Sequence, residues 1–456
     1  MTLDVLGNPV TAAPATLAGV DDFIEGFLAY EARAANIVPA AEADPQNCLA
    51  NAYAAMAWMF LEAPEAPERA APFVARALAA AEHATPREGL NARMAAAWAA
   101  GDVPAAVALC EEIARAHPTD LVAIKVGQYH LFNAGDAAGM LRMALHALPA
   151  CADRPYVHGM VAFGYEQCHL MAEAEASARR ALALEPADPW AHHALAHVML
   201  TGDRIDEGIA FLEGISPGWA HLNSFMRSHN WWHLALFYVS RGRGADALRA
   251  YDDHVWGIAK TYSQDQVGAA SLLARLELAG IDVGDRWEDV AGHVARRGAD
   301  TVSPFLSLQY LYALARTKRP EADALLAAIR ARADMPAHDR AAWAEVALPA
   351  AEGIVAHLRG DHDRAVAHLG RALPRMGEVG GSHAQRDLFE QVHLDALIRA
   401  GRASAAQQVL EMRRTYDADG VPVNRALARV YAQAGLPALA AAARARADRT
   451  LARAAG

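Results

Sequence analysis

The chain has 456 residues, 54% of them apolar and 21% charged, with a formal net charge of −11. That length exceeds one ordinary core and points to several domains or one repeating stack. The acidic balance excludes a general nucleic-acid surface and docking on anionic membranes, which both need clustered positive charge.

Four cysteines, Cys48, Cys110, Cys151 and Cys168, are scattered without a C-x-x-C pair, as expected of reduced thiols in a cytoplasmic protein. Only three lysines occur, Lys125, Lys260 and Lys318, so Schiff-base chemistry has few candidates. No basic segment followed by an apolar run opens the chain, and no stretch offers about 18 uncharged apolar residues. Neither a signal peptide nor a transmembrane helix is predicted.

In chain order, an irregular arm over 1–18 precedes helices near 19–34, 46–62, 67–84, 86–100, 103–116, 119–134 and 136–148. Gln128 lies in the sixth of these. The next helices, near 153–169, 172–185 and 188–201, carry His158 and Glu166, then His193 and His197. Helices near 204–213 and 219–241 follow, the second holding His229, Trp231, Trp232 and His233. The remaining helices fall near 244–258, 264–279 (with Gln266), 286–298, 303–317, 319–332, 337–359 and 362–373. The last four lie near 383–400 (with His383, Arg386 and Asp387), 403–415, 422–434 and 437–453. Gly closes many of these helices as an αL cap, and Pro118, Pro186 and Pro189 fall between helices. No strand alternation competes with this pattern.

Turns such as AWAAGDVPAAVAL, FNAGDAAGML, HLRGDHDRAV and IRAGRASAA recur roughly every 33 to 45 residues, the period of helix-pair solenoids. The string ALALEPADPWAHHALAHVMLTGDRIDEGIAFLE resembles a tetratricopeptide repeat. The expected fold is all-α: a tetratricopeptide-like α-solenoid of about ten helix pairs, one continuous domain over 1–456, curled into a superhelix with an enclosed concave face. YVHGMVAFGYEQ, DPWAHHALAHV, SHNWWHLALFYVSRGR, ALRAYDDHVW and GGSHAQRDLFEQ together resemble the tetratricopeptide repeat protein 38 family, with its bacterial StaR-like members, and DVLGNPV at 4–10 also fits. The resemblance implies a helical-repeat fold and a cytoplasmic location, and no established reaction. Glu166 and the two His-x-x-x-His pairs match the family pattern.

Those pairs, His193 with His197 and His229 with His233, each put two imidazoles on one helix face, with Cβ atoms roughly 6 Å apart. Neutral imidazole is a common transition-metal ligand, so the four form a candidate site for a divalent transition metal. Alignment of the helix-ending Gly202 and Gly242 sets His193 level with His233 on one diagonal stripe, which Glu166 extends. The competing reading is that histidine simply packs between helices. Trp231 and Trp232 point away from the pair between which they stand, one into the core and the other toward the groove.

GGSHAQRD (380–387) reads first as a helix start, with Ser382 as N-cap and Gln385 at the capping-box position. Its sharper reading sends Arg386 and Asp387 toward a cavity, with Arg386 as an anion clamp. There is no P-loop, dinucleotide fingerprint, nucleophile elbow or H-E-x-x-H motif. Three functions remain. One is a small-molecule-binding or catalytic repeat protein, with Glu166, His193, His233, Arg386 and Asp387 as chemical groups and His158, Trp231, Trp232, Gln128, Gln266 and His383 as ligand contacts. Another is a scaffold for a peptide or protein partner, and the third is a purely structural assembly subunit. None implies nucleic acid or membrane, and all leave room for an oligomer.

Overall fold

The computed structural model describes residues 2–455. Among them 24 α-helices follow one another in antiparallel pairs, and the only sheet is a two-stranded hairpin. The all-α, tetratricopeptide-like stack of helix pairs is thus the observed architecture, with 24 helices among the described residues where the sequence predicts one fewer. The extra helix is Ile37–Ala43, seven residues containing Pro39 and too short to leave a periodic signal. No helix among the described residues is long and apolar enough to cross a membrane.

The chain packs as two compact units, 1–195 with 221–226 and 196–220 with 227–456. In the first, Thr2–Leu3 pairs antiparallel with Pro9–Val10, and the first helix, Pro14–Ala29, starts ahead of the predicted position. Asp4 folds this hairpin. Its Oδ1 accepts from the amides of Leu6 (3.0 Å) and Asn8 (2.8 Å). Its Oδ2 meets Arg87 Nη2 at 3.0 Å, while Arg87 Nη1 meets Asp120 Oδ2 at 2.9 Å. All three are buried, so the chain start is pinned by an ion triad in the core. Lys125 Nζ donates to the carbonyls of Phe27 (2.8 Å) and Leu28 (3.1 Å), taking up orphan acceptors at the end of the first helix.

In the second unit the leading helix of each pair is the buried one. Ser263–Leu278 and Pro304–Arg316 bury nearly every residue, whereas their partners Arg286–Ala295 and Glu321–Asp334 bury one face. Two turn details bear on the sequence reading, and the first corrects it. The left-handed residue closing Pro189–Thr201 is Asp203 (φ 57°), not Gly202, whereas Gly242 (φ 72°) closes Ser224–Ser240. The repeat register therefore moves by one residue, and the position equivalent to His193 is Trp232 rather than His233. The second detail is Gly381 (φ 77°), where an added Cβ would stand 2.7 Å from the Phe305 ring. The Gly-Gly before His383 is thus needed both for its backbone angles and for close approach of two helices.

Candidate functional site

The helix Ser224–Ser240 turns His229, Trp232 and His233 to one side. His229 lies parallel to Trp232 (centroids 5.5 Å, 6°) and edge-on to His233 (4.8 Å, 87°). Trp231 faces elsewhere, stacked on His254 at 3.8 Å and edge-on to Trp219 at 5.7 Å. Only Trp231 turns away from the histidine pair as expected; Trp232 lies against both His229 and His233, because a residue three positions after His229 returns to its side of the helix.

His197, on the preceding leading helix, places its ring 4.5 Å from that of His233. His383 opens the helix His383–Arg399 behind the expected capping box. Ser382 Oγ accepts from the Gln385 amide at 3.2 Å and Gln385 Oε1 from the Ser382 amide at 2.9 Å. This start delivers the His383 ring to within 5.2 Å of His197, with His197 Nδ1 and His383 Nε2 3.4 Å apart. His229, His233, His197 and His383 thus form an unbroken line of imidazoles inside one unit. His197 and His233 have no solvent exposure and His229 retains 9%. Burial, followed by the like-charged His197 ring, lowers the His229 pKa to about 3, so this ring is neutral at physiological pH.

Arg275, which the sequence reading did not single out, ties this region together. It is buried, and its guanidinium lies 5.1 Å from the centre of the Trp232 ring. Its Nη2 donates to the carbonyls of Ala384 (2.7 Å) and Gln385 (3.0 Å), and its Nη1 to the Ser271 carbonyl (3.2 Å) and hydroxyl. It therefore anchors the first turn of the helix that presents His383. Burial lowers its pKa to about 10 against the opposing pull of Asp387. The available signal was an arginine among leucines in SLLARLEL, where a buried stripe demands a reason for a charge.

Asp387 is committed to an ion pair. Arg413 Nη1 lies 2.5 Å from its Oδ1 and Nη2 3.1 Å from its Oδ2, while Gln391 Nε2 donates at 2.6 Å. Burial opposes its ionisation, but Arg413 outweighs that and holds the pKa at about 2. Arg386 Nη1 donates to the Gly381 carbonyl, closing the turn from which it projects. Gln266 Nε2 donates to the Lys260 carbonyl at 2.9 Å.

The first unit holds the other candidates. Glu166 is fully buried at the end of Val157–Gln167, where Oε2 accepts from Gln167 Nε2 at 2.5 Å. His193 stacks on Trp190 (4.5 Å) and tilts against Phe163 (5.1 Å). Gln128 Nε2 donates to the carbonyls of Met140 (3.0 Å) and Met160 (3.2 Å), bonding two neighbouring helices together. His158 Nε2 lies 2.8 Å from the Ala152 carbonyl.

No protein-family model matches the chain. A human IFIT1 dimer with m7Gppp-AAAA is similar at 11% identity over 88% of this chain and 90% of that one, with a TM-score of 0.42. The APC/C hetero-tetramer Cut9–Hcn1 is similar at 12% identity over 97% of each chain, with a TM-score of 0.33. Naa15/Naa10 bound to HypK-THB gives 13% identity over 93% of this chain and 68% of that one, with a TM-score of 0.25. None of these likenesses carries a ligand or a partner over to this chain.

Proposed function

We propose that this helical-repeat protein binds a polar small molecule along the histidine line of its second unit, with His197 and His383 holding a divalent transition metal there. The observation that carries this reading is the line itself. Burying one imidazole is unremarkable, but each buried polar ring forfeits hydration that leucine would not need. Three buried imidazoles and a half-buried fourth, each in contact with the next, are a costly way to fill a core and a direct way to build a site for lone-pair acceptors. Neutral imidazoles donate lone pairs to transition metals. Two nitrogens bound to one tetrahedral zinc at 2.0–2.1 Å stand roughly 3.3–3.4 Å apart, and His197 Nδ1 and His383 Nε2 are separated by 3.4 Å. Such a metal, when bound, supplies Lewis acidity. His383 is less buried than His197 and His233, which leaves this end of the line the more accessible to a ligand. Arg386 remains a candidate chemical group of this unit, while Asp387 is held by Arg413. The resemblance of SHNWWH and GGSHAQRD to the tetratricopeptide repeat protein 38 family accords with a dedicated site.

Cobalt(II) titration of the purified, metal-stripped protein tests the metal. We expect one equivalent with d–d absorption, lost in His197→Ala and His383→Ala variants that keep their helical circular dichroism. Absence of cobalt binding to the unaltered protein removes the metal from the proposal. A second reading, a scaffold for a protein partner, draws support from Met412, Leu436 and Leu439, which are 72%, 45% and 46% exposed near the chain's end. Partner capture that survives His233→Ala but fails after charge substitution at Met412 would favour it.

A further inference from the structure

The helix Ser263–Leu278 has one anomaly. Every residue from Asp265 to Leu276 is buried except Gly268, the one with no side chain. A Cβ built at Gly268 meets no atom within 4 Å, and its φ lies outside the left-handed region. Some glycines inside other leading helices are explained by contact, since a Cβ at Gly127 would strike Met143 at 2.1 Å and one at Gly353 would strike Leu369 at 2.6 Å, whereas Gly89 in Pro86–Ala99 meets no atom, as Gly268 does. Gly268 has no such neighbour and no unusual backbone, so it accepts the poor helix propensity of glycine without a packing return. It marks open space set into an otherwise buried surface.

The groups around it are polar and incompletely used. Ser271 lies one turn further along the same face, and Arg275 one turn beyond that. The Arg275 side chain runs back toward the helix start, with Nη1 bonded to the Ser271 carbonyl and hydroxyl, which sets the guanidinium about one turn from Gly268. Its partners are neutral carbonyls and a hydroxyl, and it forms no ion pair among the described residues. Its Nε is buried without a hydrogen-bond acceptor. Gln309, on the adjacent leading helix Pro304–Arg316, precedes its turn residue Lys318 by the same number of residues as Ser271 precedes Gly280, so the two share one level of the stack. Gln309 has no solvent exposure, and neither its Oε1 nor its Nε2 has a hydrogen-bonding partner among the described residues. A buried cation whose hydrogen bonds all go to neutral groups, with only the Asp387 carboxylate, itself paired with Arg413, pulling on it from a distance, and a buried amide without partners each carry a free-energy cost that an anionic ligand with donor and acceptor capacity would lower.

We propose that Gly268 floors a recess for a small carboxylate, with Arg275 supplying the positive charge and the Gln309 amide a hydrogen bond. The proposal deepens the ligand-binding reading of this unit but uses none of its histidines, so the two fail separately: loss of cobalt binding leaves this site untouched.

The test measures thermal shifts of the full chain with acetate, succinate and benzoate, each against its neutral amide. At least one carboxylate should raise the melting temperature saturably, and its amide should bind at least about tenfold more weakly. Gly268→Leu, which fills the recess, should keep the melting temperature of the unaltered protein and lose the carboxylate response. Gln309→Leu, of similar volume, should weaken it. Failure of all three carboxylates to bind overturns the proposal, as does an undiminished response in Gly268→Leu. A large fall in the melting temperature of Gly268→Leu also overturns it, because it would show that no space is there; Gly268→Ala, which folds in either case, should then show no stabilisation.

Discussion

Nδ1 of His197 stands 3.4 Å from Nε2 of His383, although 186 residues separate them in the chain. The contact joins a histidine inside one leading helix to another at the first position of a helix several repeats later. It is held from behind, because Arg275 bonds the Ala384 and Gln385 carbonyls that follow His383.

Replacing Arg275 by Met should therefore have two effects. Two buried carbonyls lose their donor, costing about 2–4 kcal/mol in urea unfolding. The His383 turn also loses its anchor, so cobalt affinity should fall at least about tenfold while His383 itself is intact. Unchanged cobalt affinity in a folded Arg275→Met protein would refute the positioning role.

The His229 environment predicts acid sensitivity. Its folded pKa of about 3 lies below the ordinary 6.5, so the unfolded chain binds the extra proton first. The stabilisation is fully present above pH 6.5 and is lost as pH falls from there toward 3, at about 1.4 kcal/mol per pH unit for one proton. His229→Gln should flatten the slope of unfolding free energy against pH in this window by about one proton. An unchanged slope would show that the ring titrates normally.

The Asp4–Arg87–Asp120 triad predicts a large local loss. Arg87→Ala leaves two buried carboxylates unpaired and should destabilise the first unit by about 3–5 kcal/mol. Limited proteolysis should then cut near the N-terminal hairpin before any other site. Cleavage elsewhere first would show that the triad does not hold the hairpin.

Gly268→Ala should stabilise the protein by about 0.5–1 kcal/mol in chemical denaturation, because the added methyl meets open space and removes the entropy cost of glycine in a helix. Destabilisation would mean that the space is filled.

The His-x-x-x-His pairs were legible because helix periodicity alone places residues four apart on one face. The capping box at Ser382 was legible for the same local reason. The Gly202 register failed because a positive φ need not fall on glycine: Asp203 occupies the left-handed position, and one residue of slip exchanges His233 for Trp232. Gln128 and His158 looked like ligand contacts because polar residues on a leading helix stand out, but which carbonyl a side chain meets depends on the next helix.

Composition, apolar period and the Gly-punctuated turns were by themselves enough to determine an all-α stack of helix pairs, since those signals act within about one repeat. Tertiary structure alone decided that His383 meets His197, that Arg275 is buried beside Trp232, that Asp387 is taken by Arg413, and that Gly268 faces open space. Each of these joins residues from different repeats or depends on what fills the space between them. Local propensity carries no record of distances across a stack, and only packed helices set them.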